Sequence, residues 1–321
     1  MIVVTGAAGF VGSALLGELE RLGFGELVAV DDFGDSDKRH NLDSKSIFAR
    51  VERLFFFEWL QLNADQVQCI FHIGARTKTT ELDEDILELL NFGYSKKVWN
   101  ACVEYSIPLL YASSAATYGD GKQGFSDQPN RIQRLKPLNP YGRSKQAFDL
   151  WVLGQEKTPP FWAGFKFFNV FGPNEYHKNR MASVVYHAYN QIKKNGRVCL
   201  FTSLNPSYLD GAQERDFVYV KDVLLVLIHF MENRKNPGLY NLGTGEANTF
   251  LDLSHAVFKA LGIDPIIDFI PMPEDIREKY QYHTKADIRR LREAGYTAHF
   301  YTLDNAVQDY VLNYLVTTSY L

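Results

Sequence analysis

Short apolar runs alternate along the chain with longer segments in which apolar residues recur every three or four positions. The runs at 2–4, 27–30, 67–73 and 107–112 have the length and character of strands buried on both faces of a sheet. The segment 82–105 between two of them has the spacing of a helix. This alternation predicts an α/β protein with a doubly wound parallel sheet.

The pattern continues through the second half of the chain. An apolar strand leads to Pro173, and a further strand runs from Gly238 to a turn at Gly245. Helices are predicted to contain Tyr141 and Lys145, to contain His187, and to span 222–231, 249–261, 285–294 and 303–315, with a short strand at 266–269.

A glycine-rich turn follows the first strand and precedes a helix. Glycines suit a tight turn in which a pyrophosphate approaches the backbone and the helix N-terminus. The second strand closes on two acids about 20 residues further on, where an acid binds a ribose hydroxyl. A purely structural turn is the alternative, but this order predicts a Rossmann-type dinucleotide site. Its residues are predicted to be Gly6, Gly9, Phe10, Val11, Gly12, Asp31 and Asp32.

The choice between NAD and NADP stays open in this stretch. Asp31 suits the 2′-hydroxyl of NAD. Lys38, Arg39 and Arg53 follow soon after and could pair with the 2′-phosphate of NADP. A solvated loop is the alternative for each of these cations.

The strand at 67–73 ends in Ile73, Gly74, Ala75 and Arg76. Ligands of open α/β sheets lie at the carboxyl ends of strands, so these residues are candidates for the cofactor site. His72 lies on the apolar strand itself and is interpreted as a packed core residue.

Tyr141 and Lys145 are four residues apart and therefore share one face of their predicted helix. A nearby ammonium favours a phenolate, so we expect the pKa of Tyr141 to fall from ~10 towards neutrality. Such a tyrosine can take a proton from a substrate hydroxyl. Ser114 follows another strand, where its hydroxyl could meet the same substrate. A surface helix with this spacing by coincidence is the alternative.

Composition narrows the classes of partner. A chain of 321 residues with 46% hydrophobic residues can bury a sizeable core, and its formal charge of −4 gives no case for nucleic acid or an anionic membrane. Three scattered cysteines argue against a disulfide framework and for a reducing compartment, so the cytoplasm is expected. We find no leader segment, no apolar stretch that could span a bilayer, and no histidines at metal-ligand spacing.

Ser114, Tyr141 and Lys145 behind the G-x-x-G-x-x-G turn resemble the extended short-chain dehydrogenase/reductase superfamily. Within it, five stretches are similar to the ADP-L-glycero-D-manno-heptose 6-epimerases, which make the activated heptose of the lipopolysaccharide core. The resemblance runs to about residue 313, and the stretches are 111–119, 168–173, 177–178, 181–184 and 215–220.

This resemblance implies a reaction. A tightly held NADP takes hydride from C6″ of the sugar and returns it to the other face of the oxidised carbon. Ser114 would hold the substrate oxygen, and Lys145 would lower the pKa of Tyr141 and bind the nicotinamide ribose. Tyr141 and Lys178 would be two acid/base groups that serve opposite epimers, because geometry decides which group reaches the hydroxyl. A loop lysine that binds phosphate or faces solvent is the alternative for Lys178.

The resemblance also implies binding residues, a homo-oligomer and a nucleotide-diphosphate sugar as substrate. Residues 1–168 and 217–248 would form the dinucleotide-binding domain, and 169–216 and 249–321 a smaller α/β substrate-binding lobe. Further cofactor contacts would come from Asn91, Val170 and Lys178, although Asn91 reads equally as an exposed helix residue. Substrate contacts would come from Ser114, Asn169, Arg180, His187, Arg215 and Tyr280.

The chain departs from related patterns at several positions. Ala115 and Ala116 stand where nucleotide-sugar 4,6-dehydratases carry an Asp-Glu pair, and alanines cannot transfer protons. Arg180 replaces a small residue, Ile73 replaces a glutamate, and 202–213 is longer than usual. The alternatives are a UDP-hexose 4-epimerase, a net dehydrogenase, or a dinucleotide-sensing regulatory protein without catalysis.

Overall fold

The computed structural model describes residues 1–77, 81, 83–277 and 280–321. The strands are β1 (Ile2–Thr5), β2 (Leu27–Asp31), β3 (Ala49–Glu52), β4 (Cys69–His72), β5 (Leu109–Ser114), β6 (Trp162–Phe167), β7 (Asn169–Phe171), β8 (Val198–Phe201), β9 (Glu214–Arg215), β10 (Phe217–Tyr219), β11 (Gly238–Leu242), β12 (Asn248–Thr249) and β13 (Ile267–Ile270).

Seven strands form the main sheet in the order β3-β2-β1-β4-β5-β6-β11, and every neighbouring pair is parallel. Strand order reverses beside β1, which is the arrangement of a doubly wound sheet. The predicted fold class is confirmed, and so is the prediction that the strand at Gly238 belongs to the main sheet.

Helices cover both faces of this sheet. They are α1 (Phe10–Arg21), α2 (Phe56–Asn63), α3 (Glu84–Leu87), α4 (Tyr94–Glu104), α5 (Pro129–Ile132), α6 (Pro140–Leu153), α7 (Val184–Asn195), α8 (Val220–Glu232), α9 (Phe250–Leu261), α10 (Glu274–Arg277), α11 (Arg289–Glu293) and α12 (Leu303–Tyr310), with π-helical turns at Glu88–Gly93 and Val311–Leu315.

Alternation along the central strand divides the core into two layers. Ile2 and Val4 pack in one hydrophobic cluster with Leu15 of α1 and residues of α8. Val3 points to the other face and packs with residues such as Trp99 of α4. Side chains on successive strand positions face opposite sides, so one short apolar strand supplies both layers.

Parallel register brings several strand ends to one edge. Thr5 at the end of β1 pairs with Val30 of β2 and His72 of β4, and β5 continues beside β4 as far as Ser114. The glycine turn and the residues after β2, β4 and β5 therefore lie at the carboxyl edge of the sheet, where ligands of such folds bind.

Three small sheets lie outside the main one. β7 pairs with β10 and β8 with β13, both parallel, and β9 pairs with β12 antiparallel. Most of these strands come from the segments assigned by sequence to the substrate lobe. The division at 168/169, 216/217 and 248/249 stays a prediction.

Three predicted helices differ from the structure, and one of them, at 303–315, changes to π-helical geometry over Val311–Leu315. The helix predicted at 285–294 is wrong for its first half, and only Arg289–Glu293 is helical. The amide of Ala286 donates to the Asp216 carboxylate at 2.9 Å, and the amide of Asp287 donates to the Phe125 carbonyl. These tertiary bonds fix Ala286 and Asp287 to other parts of the chain, and the structure has no helix at these two positions.

The helix predicted at 82–105 is continuous only from Glu84, and it changes to π-helical geometry over Glu88–Gly93. Its predicted start at residue 82 lies outside the described residues. The strand predicted at 67–73 is shorter and spans Cys69–His72.

Candidate active site

Helix α6 presents Tyr141 on its first turn. Asn139 caps the helix by accepting a 2.7 Å hydrogen bond from the Gly142 amide, and Pro140 occupies the first helical position. Gly142 permits a close approach, because a Cβ there would lie 2.7 Å from the Ala116 carbonyl oxygen. The turn after β5 and the start of α6 are therefore packed backbone to backbone.

This packing joins Ser114 and Tyr141. Ser114 is the last residue of β5, and its hydroxyl accepts a 3.1 Å hydrogen bond from the Ala116 amide. The same side chain is hydrogen-bonded to the Tyr141 phenol. Tyr141 is only 8% exposed. Two of the three predicted residues thus contact one another directly.

The expected low pKa of Tyr141 is wrong for this structure. Burial raises the pKa of Tyr141, the hydrogen bond with Ser114 lowers it, and the charge of Asp149 raises it further. The Lys145 ammonium donates instead to the Ala112 carbonyl at 2.8 Å. Helical spacing alone did not reveal how strongly the phenol is desolvated.

Lys145 is itself buried. Burial lowers the pKa of Lys145 to about 8, while the charge of Asp149 opposes that change. A lysine with this pKa changes protonation close to neutral pH. Lys145 therefore exchanges a proton in the range where the phenol stays protonated.

The glycine turn fits a dinucleotide. Gly6 has a φ of +68°, and a Cβ there would lie 2.4 Å from the Gly74 Cα. A Cβ on Gly12 would lie 2.1 Å from the Gly6 carbonyl oxygen. The turn is too tight for larger residues and leads into the N-terminus of α1, which is a site for phosphate.

Charged residues surround the end of β2. The Asp31 carboxylate accepts a 2.8 Å hydrogen bond from the Ala8 amide and thereby fixes the turn. The Lys38 ammonium lies 3.9 Å from Asp31, and the Arg53 guanidinium lies 3.5 Å from Asp32. The structure thus pairs Lys38 with Asp31 and Arg53 with Asp32, and no ion pair joins Arg39 to another described residue.

The segment after β4 is tied to the same turn. The Ile73 amide donates to the Thr5 carbonyl at 3.2 Å, and Gly74 packs against Gly6. Asn91 is buried in the π-helical turn, where its side chain accepts from the Arg76 amide at 2.7 Å and donates to the Arg76 carbonyl at 3.0 Å.

Asn91 also donates a 3.0 Å hydrogen bond to the Ser144 hydroxyl on α6. This side chain therefore connects the segment after β4 to the helix of Tyr141 and Lys145. It is not the exposed asparagine that was one interpretation of the sequence. The Ala75 position lies in the segment that Asn91 holds.

His72 is a core residue, as interpreted from its apolar strand. Its ring is hydrogen-bonded to the Thr5 hydroxyl at 2.7 Å and to the Ser95 hydroxyl at 2.8 Å. Burial lowers the pKa of His72 to about 3, and the charge of Lys145 lowers it further. His72 is therefore neutral near pH 7.

Lys178 lies on a turn that follows β7. Its ammonium is 5.2 Å from the ring centre of Phe10, at the start of α1. Burial lowers the pKa of Lys178, and the charge of Glu175 opposes that change. The second predicted acid/base group thus contacts a predicted cofactor residue.

Glu175 holds this turn in place. Its buried carboxylate accepts from the Ser183 amide and hydroxyl, both at 2.6 Å, and from the Gly172 amide at 3.3 Å. Asn179 inside the turn has a φ of +48°. Val170 lies nearby on β7, where it pairs with β10.

Arg215 and Tyr280 form a second cluster. The buried Arg215 guanidinium lies 5.1 Å from the Tyr280 ring centre and 5.4 Å from that of Phe250. Burial lowers the pKa of Arg215, while Tyr280 raises it. Asn169 lies at the exposed start of β7 and accepts from the Thr284 hydroxyl at 3.4 Å.

The long segment 202–213 lies beside this cluster. Its Tyr208 ring is 5.4 Å from the Tyr282 ring, which in turn is 5.3 Å from Tyr280. The Leu204 amide donates to the Tyr282 hydroxyl at 3.2 Å. An aromatic chain therefore links the insertion to Arg215.

Two other predicted substrate residues, His187 and Arg180, have different partners. His187 is half-buried on α7 beside Tyr186. The exposed Arg180 guanidinium forms an ion pair with Asp275 at 2.8 Å. Among the residues with described positions, no hydrogen bond or ion pair joins either side chain to Arg215 or Tyr280.

The sequence analysis missed a buried carboxylate beneath the candidate site. Asp149 is four residues after Lys145 and shares its helix face, so the spacing that selected Tyr141 would have selected it as well. Its partner Lys166 is on β6, and nothing in the local sequence connects the two.

No group of three or more His, Cys, Asp or Glu residues in ranges 1–77, 83–277 and 280–321 could hold a metal ion. Within the same ranges no helix is long and apolar enough to cross a membrane. The three cysteines are free thiols.

Comparisons with known proteins of similar sequence and structure all point to one family of epimerases. Residues 2–243 match the profile of the NAD dependent epimerase/dehydratase family. The chain is 46% identical to the ADP-L-glycero-D-manno-heptose-6-epimerase of Fusobacterium nucleatum and 45% identical to that of Nitratidesulfovibrio vulgaris, over 98% of each chain. The crystal structure of the Helicobacter pylori enzyme of that name superposes with a TM-score of 0.81 at 25% identity, covering 97% of this chain and 95% of the other.

Proposed function

Because the chain belongs to the NAD dependent epimerase/dehydratase family, we propose that it inverts C6″ of ADP-glycero-manno-heptose by oxidation and re-reduction. The observation that carries the proposal is the hydrogen-bonded pair Ser114–Tyr141 with Lys145 on the same helix, at the sheet edge that holds the glycine turn. The high identity to two enzymes of this name, over nearly the whole chain, supports the choice of sugar.

The cofactor is proposed to be NADP, with NAD as the alternative. Gly6, Gly9, Phe10, Val11 and Gly12 would hold its pyrophosphate, and Lys38 and Arg53 would pair with a 2′-phosphate beside Asp31 and Asp32. When bound, the nicotinamide supplies a hydride acceptor and donor. Its contacts would also involve Ile73, Gly74, Ala75, Arg76, Asn91, Lys145, Val170 and Lys178.

Two proton-transfer groups with opposite pKa changes suit the two half-reactions. Burial keeps the Tyr141 phenol protonated and favours the neutral amine of Lys178. In one direction Lys178 would remove the C6″ hydroxyl proton as C6″ gives up its hydride to the bound nicotinamide, which leaves a ketone because C6″ bears two carbons. When the hydride is given back to the opposite face of that carbon, Tyr141 would donate its proton to the ketone oxygen.

One turnover moves a proton from Tyr141 to Lys178, so exchange with solvent would restore the phenol and the amine before the next turnover in the same direction. The reverse reaction would start from the phenolate and the ammonium. Ser114 would hold the substrate oxygen during both steps. Arg215 is proposed to bind the diphosphate through its planar guanidinium, with Asn169, Arg180, His187 and Tyr280 as further substrate contacts.

The test uses purified protein and ADP-D-glycero-D-manno-heptose with no added cofactor. NMR of C6″ should show a mixture of both epimers, with no net change in nicotinamide absorbance. Tyr141→Phe should abolish the conversion, and Tyr301→Phe, which changes an exposed tyrosine, should not. Wild-type protein that leaves the heptose unchanged after addition of NADP and NAD would overturn the proposal.

A UDP-hexose 4-epimerase is the second candidate. Lys178 argues against it, because the resemblance assigns no second protein base to 4-epimerases at that position. A net dehydrogenase would instead release its reduced cofactor. The cytoplasmic location and the homo-oligomer stay predictions.

A further inference from the structure

Asp149 lies under the proposed reaction centre. It shares one face of helix α6 with Tyr141 and Lys145, and its side chain is 0% exposed. The carboxylate accepts hydrogen bonds from the Ser113 hydroxyl at 2.7 Å and the Tyr111 phenol at 3.3 Å, both on β5. The helix that carries the tyrosine is thereby fixed to the strand that ends in the catalytic serine.

Lys166 completes this arrangement from strand β6. Its ammonium, also 0% exposed, lies 2.5 Å from the Asp149 carboxylate and donates to the Thr117 hydroxyl at 2.9 Å. Thr117 in turn donates to the Ser114 carbonyl at 2.8 Å. One ion pair therefore connects α6, β5, β6 and the turn after Ser114.

A buried ion pair such as Asp149–Lys166 is not explained by its contribution to stability alone. Desolvation of two charges often costs as much as their attraction returns, and apolar residues of similar volume can replace such a pair without loss. Two ammonium groups, those of Lys145 and Lys166, lie near one carboxylate. We propose that Asp149 and Lys166 are positioning residues, which hold Tyr141 and Lys145 against Ser114 and set the electrostatic field around them.

The catalytic importance of Asp149 and Lys166 rests on the proposed function. Their effect on the pKa of Lys145 does not. Asp149 raises the pKa of Lys145 and that of Tyr141, in both cases by its charge. The Lys166 ammonium beside that carboxylate offsets part of the field. The other titratable groups that face this cluster are Tyr111 on β5, Tyr118 after β5 and neutral His72 on β4.

The two partners should therefore act with opposite sign. Asp149→Asn should lower the pKa of Lys145 by on the order of one unit, because its nearest negative charge is removed. Lys166→Met should raise the pKa of Lys145, because the Asp149 carboxylate then interacts with the Lys145 ammonium without the opposing charge of Lys166. The measurement is a 13C NMR titration of holoprotein labelled at lysine Cε, with the Lys145 signal assigned by Lys145→Arg.

The same shifts should appear in the pH profile of kcat for the heptose. Lys166→Arg keeps the charge and should keep the wild-type profile. Lys221→Met breaks the half-buried 2.6 Å ion pair with Asp309. This variant should lower Tm without changing the pKa of Lys145 or the pH profile of kcat. If Lys166→Met does not fold, Lys166→Gln makes the same charge change with a polar side chain.

A merely structural pair gives a different result. Asp149→Asn and Lys166→Met would then both lower Tm and kcat, with an unchanged pKa of Lys145, and this outcome would overturn the proposal. The NMR titration needs no turnover, so it decides the inference even if the wild-type protein does not convert the heptose. The proposed function is tested separately, by whether the wild-type protein converts the heptose.

Discussion

The ammonium of Lys178 lies 5.2 Å from the ring centre of Phe10, the first residue of helix α1. These residues are far apart in the chain, and the turn after β7 folds back over the glycine turn to bring them together. Glu175 stabilises this geometry through its bonds to both ends of the turn. The contact places Lys178, a candidate acid/base group outside the Ser-Tyr-Lys set, beside the proposed cofactor site.

Lys178→Met tests the second proton-transfer group. It removes the amine while keeping an unbranched side chain of similar length. We expect kcat for epimerisation to fall by about 100-fold or more, the usual contribution of general acid–base catalysis. The rate is measured by NMR at C6″, with Lys194→Met at the exposed end of α7 as the control. A Lys178→Met variant with more than half of wild-type activity would show that this amine transfers no proton.

Cofactor selectivity should depend on the two cations near the end of β2. The Lys38→Ala/Arg53→Ala variant removes the two cations that lie beside Asp31 and Asp32, and each charged hydrogen bond contributes about 1.5–3 kcal/mol. We expect the ratio of NADP to NAD retained by the purified protein to fall at least about tenfold. Chromatography of the released cofactor measures it, and an unchanged ratio would contradict the NADP assignment.

Gly12 should not tolerate a methyl group. A Cβ on Gly12 would lie 2.1 Å from the Gly6 carbonyl oxygen, and backbone cannot move aside cheaply. We expect Gly12→Ala to lower the free energy of unfolding by about 3 kcal/mol, as overpacking does, and to weaken cofactor retention. Gly25→Ala is the control, because no atom lies within 4 Å of a Cβ there. Equal denaturation midpoints for the two variants would disprove the close approach.

His72 should make the fold sensitive to acid. Its pKa is lowered to about 3 in the folded protein, so between that value and ~6.5 the unfolded chain binds the extra proton. The stability contributed by His72 is therefore present above pH 6.5 and is lost as the pH falls. Between pH 7 and 4.5, the free energy of unfolding of His72→Gln should fall by about 2 to 3 kcal/mol less than that of the wild type. Urea unfolding at both pH values measures this, and equal losses would refute the sign.

Sequence patterns predicted the parts of the fold that depend on neighbouring residues. The glycine spacing and the strands on either side of α1 are local, so β1 and β2 were placed within a residue, and a helix was correctly predicted after the glycine turn. Helical spacing likewise predicted that Tyr141 and Lys145 share a face. The roles of these residues stay predictions.

Features that depend on distant parts of the chain were not predictable in this way. The pKa of Tyr141 is set by burial, which the i, i+4 spacing does not report. The Asp149–Lys166 pair joins a helix to a strand, and Asp216 binds the Ala286 amide from a distant part of the chain. Asn91 gained its partners only when the chain after β4 approached α6.

The most direct test of the account follows the hydrogen at C6″. ADP-D-glycero-D-manno-heptose carrying deuterium at C6″ is incubated in ordinary water with the protein and no added cofactor, and both epimers are analysed by NMR and mass spectrometry. Transient oxidation with return of the same hydride predicts inversion with full retention of deuterium at C6″. Inversion with replacement of that deuterium by hydrogen from water, or no inversion at all, would contradict the account.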